Sequence, residues 1–175
     1  MIRSKSFVTM LGLAASLVAP LAAAEAKTIR DKALGYEVTF PGDPEPAELR
    51  EDMPDFVRRI SGWEQQDATG FFVVYGAQIL GDDEAFPDAR AAVQDAYEQC
   101  SLGGEVQDEI TVPFTGGAVG IEVLSKRTLP LGDGVLMELV RVAVTRNRIF
   151  CVRSSYSEGE DPKLARAFVR SLTLQ

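Results

Sequence analysis

The sequence predicts an α+β sandwich: a central antiparallel β-sheet with helices flanking it. Three observations carry this. Apolar residues alternate at period two in six or seven short stretches, and two other stretches repeat at helical spacing. The linkers within the later run of strands are short turn sequences, "TGG", "LGDG" and "RN", which join antiparallel neighbours. Several strands are apolar on both faces and so require cover on both sides, which a helix after the third strand and a helix at the end can supply.

The first residues stand apart from that pattern. Arg3 and Lys5 precede an apolar run from Phe7 to Val18, and Pro20 and small residues follow. This is the layout of an export signal. Ala24-Glu25-Ala26 and Ala22-Ala23-Ala24 both fit an A-x-A cleavage pattern, so cleavage is expected after Ala26, with Ala24 as the alternative. The uncharged run is barely long enough to span a bilayer and its second half is alanine-rich, so no stable membrane span is expected after cleavage. The expected organisation is a signal peptide over 1–26 and a single sandwich domain over 27–175, in the periplasm or outside the cell.

In the mature chain, Tyr36, Val38 and Phe40 share one face of a first strand, which Pro41, Gly42, Pro44 and Pro46 stop. An acidic loop follows from Asp43 to about Asp55. "FVRRISGWEQQ" reads as a second strand and "FFVVYGAQIL" as a third, central one, with Asp67 to Gly70 as the hairpin turn. Ala89, Ala92, Val93, Ala96 and Cys100 fall at helical spacing, with Pro87 in the first turn and "SLGG" as the stop. Three or four strands then run in series, over 106–114, 119–128, 135–146 and 148–156. Asp161 and Pro162 open a last helix, with Leu164, Phe168 and Leu172 on its apolar face and Ala165 and Val169 beside it.

These stretches carry a resemblance. "GYEVTFPGDP" (35–44), "AVGIEV" (118–123), "RNRIFCVRSS" (146–155) and "ARAFVRSLTL" (165–174) resemble the Mog1/PsbP-like fold group, in particular its secreted bacterial members of unassigned activity. The resemblance implies an α/β/α sandwich around an antiparallel sheet. It also implies non-catalytic roles, since one plant member is an extrinsic photosystem subunit and another member binds a small GTPase. It supplies no catalytic motif to carry over, so it transfers the fold and not an activity.

Composition narrows the chemistry. The chain has no histidine, which removes Ser-His-Asp and Cys-His catalysis and histidine-ligated zinc or haem. The formal net charge is −8. Removing Arg3, Lys5 and Glu25 from 18 basic and 26 acidic residues leaves 16 and 25, a net of −9, which argues against nucleic acid as a partner.

Cys100 and Cys151 lie on the first helix and the last strand. Two cysteines in an exported chain favour a disulfide. Two unpaired buried thiols, or a reactive thiol with Arg148 and Arg153 lowering its pKa, stay open. "GDDEAFPD" lacks the spacing of a calcium loop and reads as helix-start electrostatics. No cofactor is expected.

The charge is uneven. Residues 27–122 hold 7 basic and 20 acidic side chains, and residues 123–175 hold 9 and 5. Lys126, Arg127, Arg141, Arg146, Arg148 and Arg153 lie on consecutive strands or their turns, either as a basic stripe for an anionic ligand or envelope partner or as partners of the acidic half of the same domain. Trp63, Tyr75 and Tyr97 are candidate pocket aromatics, against the alternative that they are core. The functional expectation is therefore an exported, non-catalytic envelope protein acting as a binding or accessory module. The alternatives are a carboxylate-dependent hydrolase, which requires two acids among Asp82, Asp83, Glu84, Asp88, Glu105 and Glu122 to face each other across a cleft, and a structural or stress-protective protein without a specific ligand.

Overall fold

Alternating strands joined by tight turns must pair with their neighbours, and a computed structural model describing residues 25–49, 56–68, 70–130 and 134–175 shows how far this holds. The described elements are β1 (Lys27–Asp31), β2 (Tyr36–Phe40), β3 (Glu45–Pro46), β4 (Arg59–Asp67), β5 (Gly70–Gln78), α1 (Ala89–Cys100), β6 (Glu105–Pro113), β7 (Val119–Thr128), β8 (Val135–Val144), β9 (Arg148–Ser157), α2 (Lys163–Arg170) and β10 (Thr173–Leu174). The expected export signal lies outside the described residues, apart from Glu25 and Ala26. Among the described residues no helix is long and apolar enough to cross a membrane.

Seven strands form one antiparallel sheet in the order β3-β4-β5-β9-β8-β7-β6. The order follows from the connections. The chain leaves β5 through α1, starts again at the far edge as β6, and returns by the expected meander until β9 pairs with β5. β5 is interior, and Phe72, Val73 and Val74 are all buried although they point to alternate faces.

The helix-flanked arrangement holds only in part, because the molecule is dominated by strands and β2 does not join the large sheet. It pairs instead with β1 and the short β10 in a separate three-stranded sheet. Tyr36, Val38 and Phe40 then point, as their alternation requires, into a core shared with α2. Phe168 of α2 lies 4.8 Å from the Phe40 ring centroid and 5.3 Å from that of Phe72, and Phe150 and Val152 of β9 and Leu139 and Ala143 of β8 complete this layer. On the opposite face of the large sheet, Ala92, Val93, Ala96 and Tyr97 of α1 pack on Val140, Val142, Val123 and Cys151.

Strand glycines make room for rings. A Cβ on Gly76 would lie 2.8 Å from the Tyr36 ring, and one on Gly120 would lie 2.5 Å from the Phe114 ring and 2.6 Å from the Val142 carbonyl oxygen. Such close approach explains glycine inside strands it otherwise weakens.

Helix starts differ from expectation by a residue. Asp88 is the N-cap of α1, its carboxylate accepting from the Arg90 and Ala91 N–H groups at 2.9 and 3.1 Å, so Pro87 precedes the helix and is not in its first turn. Asp161 accepts from the Lys163 N–H at 3.0 Å, one residue ahead of the cap position held by Pro162. Leu164 is exposed, and the buried face of α2 is Ala165, Phe168 and Val169, continued by Leu172.

Candidate functional site

The helix α1 is set off-centre. It packs on β7, β8 and β9, and among the described residues no helix covers the same face of β4 and β5. Ile60 of β4, Tyr75 and Ala77 of β5 and Ile149 of β9 stay in register across that open half. With Ile79 and the flank of α1 at Ala96, Gln99 and Cys100 they line a cavity of about 700 Å³, rimmed by Leu49, Phe56 and Val57. Tyr75 lies flat over Gly62, where a Cβ would meet its ring at 2.6 Å. Phe56 is 61% exposed, which marks this rim as apolar surface left open.

The cavity ends at a covalent link. Cys100, the last residue of α1, and Cys151, in the middle of β9, form a disulfide with Cα atoms 6.4 Å apart. Both lie along the cavity wall, and the described residues contain no free cysteine. The bond replaces both thiol alternatives, and the nearby arginines serve another purpose.

Arg153 stands two residues after Cys151 on the same face. Its Nη1 donates to the Cys100 carbonyl at 2.7 Å, its guanidinium sits 5.5 Å from the Phe71 ring centroid, and its Nε is 3.8 Å from the Glu138 carboxylate. Glu138 is buried and accepts from the Leu102 N–H at 3.0 Å and from the Ser125 hydroxyl at 3.3 Å. Burial pushes the Glu138 carboxyl above its ordinary range, more than these bonds and Arg153 draw it down. The group ties the segment after α1 to the sheet.

The other face holds the second buried carboxylate. Glu122 of β7 accepts from Arg141 of β8, by Nε at 3.1 Å and by a shorter bond from Nη2, and from Arg170 of α2, by Nη2 at 2.8 Å. Burial alone would raise the Glu122 carboxyl, but hydrogen bonds from Arg170 and Arg141 and their charges outweigh it and hold the carboxyl low. The Arg141 guanidinium also lies 5.9 Å from the Phe114 ring centroid.

The six expected surface cations are divided by the strand register. Lys126, Arg141 and Arg148 lie on the face that carries Glu122, Arg127 and Arg153 lie on the other, and Arg146 is in the β8–β9 turn. Lys126 pairs with Glu158 at 2.7 Å. Arg127, Arg146 and Arg148 donate to the carbonyls of Leu102, Asp83 and Leu34 at 2.9, 2.7 and 2.9 Å. Of the six, Arg141 pairs with a carboxylate of the acidic half, Glu122, whereas these contacts of Arg127, Arg146 and Arg148 go to main-chain carbonyls.

Of the candidate acids, Asp82, Asp83 and Glu84 are exposed neighbours in the loop after β5, and Asp88, Glu105 and Glu122 stand on other elements. Asp82 accepts from Gln78, Glu84 from the Gly81 N–H, and Asp88 caps α1, while Glu105 is exposed on an edge strand and Glu122 is buried on the opposite face to α1. No group of three or more metal-binding side chains gathers among the described residues. Of the acidic loop, residues 50–55 lie outside the described residues. Of the candidate aromatics, Tyr75 lines the cavity, whereas Trp63 packs against the α2-side core and Tyr97, on α1, is buried against the sheet. The open half-face and the Glu122–Arg170 pair were not anticipated. The parity of Ile60, Tyr75 and Ala77 signalled the first, but where α1 would sit is a tertiary matter.

The chain is thus a sheet-dominated α+β protein in which one helix covers part of a sheet face and leaves the rest open beside a disulfide. Its fold is PsbP-like, as solved structures show. No protein-family model and no curated protein matches the chain. The solution structure of the cyanobacterial PsbP protein (CyanoP) from Synechocystis sp. PCC 6803 superposes with a TM-score of 0.57 at 16% identity, over 89% of this chain and 96% of that one. A crystal structure from Bacteroides thetaiotaomicron VPI-5482 gives a TM-score of 0.52 at 15% identity over 85% of this chain, which spans about half, 48%, of that protein's length. At these identities the likeness concerns the fold.

Proposed function

We propose that the protein is an exported, non-catalytic accessory module, folded as one unit over 27–175, that recognises an envelope partner through the open half of its sheet. One observation carries the reading. The two buried carboxylates, Glu122 and Glu138, lie on opposite faces of the sheet, each beside arginine, whereas the cavity beside α1 is walled mainly by apolar side chains. Acid/base hydrolysis requires two carboxyl groups across one cleft. Recognition requires an apolar, concave surface with few polar groups, and that surface is present.

The test is a photo-crosslinking residue placed at Phe56 in periplasmically expressed protein, with a second at Arg166 on the other side as control. The expected result is one discrete adduct from Phe56, absent from the control and lost when Ala77→Arg fills the cavity. No adduct at Phe56, or the same adducts from both positions, overturns the proposal.

A further inference from the structure

The strand β6 closes one end of the seven-stranded sheet, and among the described residues no strand stands outside it. The other end, β3, is two residues long. β6 runs for nine residues, and every one except Val112 is exposed. A long row of outward N–H and C=O groups is a template for another extended chain.

Three features bear on what pairs there. The register slips between Val106 and Asp108, so Gln107 forms a bulge. Pro113 has no N–H to donate. Glu105, Asp108 and Glu109 place carboxylates along the strand, and none of them makes an ion pair among the described residues. The bulge and the proline bracket Asp108–Val112 and leave that stretch in regular register with β7. Within it, Ile110 faces the Glu122 side beside Asp108, while Glu109 faces the Val123 side. Val106 and Ile110 are exposed apolar residues, 48% and 44% accessible.

This pattern is selective. A second copy paired on β6 would set Asp108 and Glu109 among the carboxylates of its twin, and like charges across a strand pair are destabilising. A strand alternating lysine or arginine with apolar residues would set a cation beside Glu109 on the Val123 side and an apolar residue against Ile110 on the Glu122 side. We infer that β6 is a docking edge for an extended, basic segment of another protein, which adds as an eighth strand along Asp108–Val112. This rests on the edge alone and not on the cavity beside α1.

The test titrates ¹⁵N-labelled, processed, disulfide-intact protein with a peptide alternating lysine and valine and with its glutamate–valine counterpart. Amide shifts and hydrogen exchange are read together. The lysine peptide is expected to shift and protect amides within 105–113, to bind at least about tenfold more tightly than the glutamate peptide, and to weaken with added salt. The double variant Asp108→Lys with Glu109→Lys, at exposed positions, is expected to reverse the order of the two peptides while the rest of the spectrum stays unchanged. Shifts scattered over the acidic surface without protection in 105–113 overturn the inference. So does equal binding of both peptides, and so does self-association through β6 in sedimentation of the free protein. Failure here leaves the Phe56 crosslinking result standing, so the two proposals fail separately.

Discussion

Glu122 and Glu138 show how the same side chain takes opposite settings in one sheet. Glu122 is held ionised by two arginines, whereas Glu138 is deeper in apolar surroundings and only loosely met by Arg153. For Glu122 the folded carboxyl titrates below the unfolded one, so its contribution is complete above the unfolded carboxylate range and drains away as pH falls through the lower, folded value. Glu138 runs the other way, with its contribution present in acid and lost as pH rises through its raised value. Glu122→Gln strands Arg141 in a buried site. It is expected to cost about 2–4 kcal/mol near neutral pH, below the full value for a buried pair because Arg170 is half exposed. Urea denaturation at neutral pH and in acid checks this, since the gap between wild type and variant must shrink as the pH falls. Neither setting was legible beforehand. Alternation placed Glu122 and Arg141 on strands but said nothing of Arg170 arriving from α2.

At the scale of elements, strands and helices were mostly readable, because each has a local signal: period two, a capping aspartate, a glycine-rich stop. The assignment of β2 was not, since its alternation is satisfied equally by a central sheet or by a small sheet laid over α2. Nor was the off-centre seat of α1, which leaves β4 and β5 partly open. That seat now makes two contrasts measurable. Gly120→Ala forces a methyl against a main-chain carbonyl that cannot move, and is expected to cost about 2–3 kcal/mol. Gly62→Ala meets the Tyr75 ring, which borders open space, and the Ala47 methyl at 3.2 Å but no main-chain atom this close, so its loss of stability in thermal melts must be smaller. If both cost the same, the cavity gives Tyr75 no room. The bond from α1 to β9 spans 51 residues, and chain-entropy reasoning makes it worth about 4 kcal/mol. Denaturation of Cys151→Ser, or of reduced protein, should show a loss of that size.

For the whole molecule, the charge and the missing histidines act together. No side chain has an ordinary pKa in the neutral range and both cysteines are bonded, so stability should be nearly flat from about pH 7 to pH 8. A clear step in that window, followed by circular dichroism, would point to the buried Glu138 carboxyl, which burial raises, or to the α-amino terminus. If the N-terminal segment is an export signal, as its sequence suggests, the intact mass of the processed chain distinguishes cleavage after Ala26 from cleavage after Ala24. The link between Cys100 and Cys151 also has a topological outcome. It closes a covalent ring that contains β6, β7 and β8. A protease that cuts one peptide bond anywhere in the ring leaves a single molecule of unchanged chain mass apart from one added water, and two fragments separate only when reductant is supplied. A cut between β4 and β5 has no such safeguard, so in a harsh extracellular setting the two ends of the large sheet would age differently.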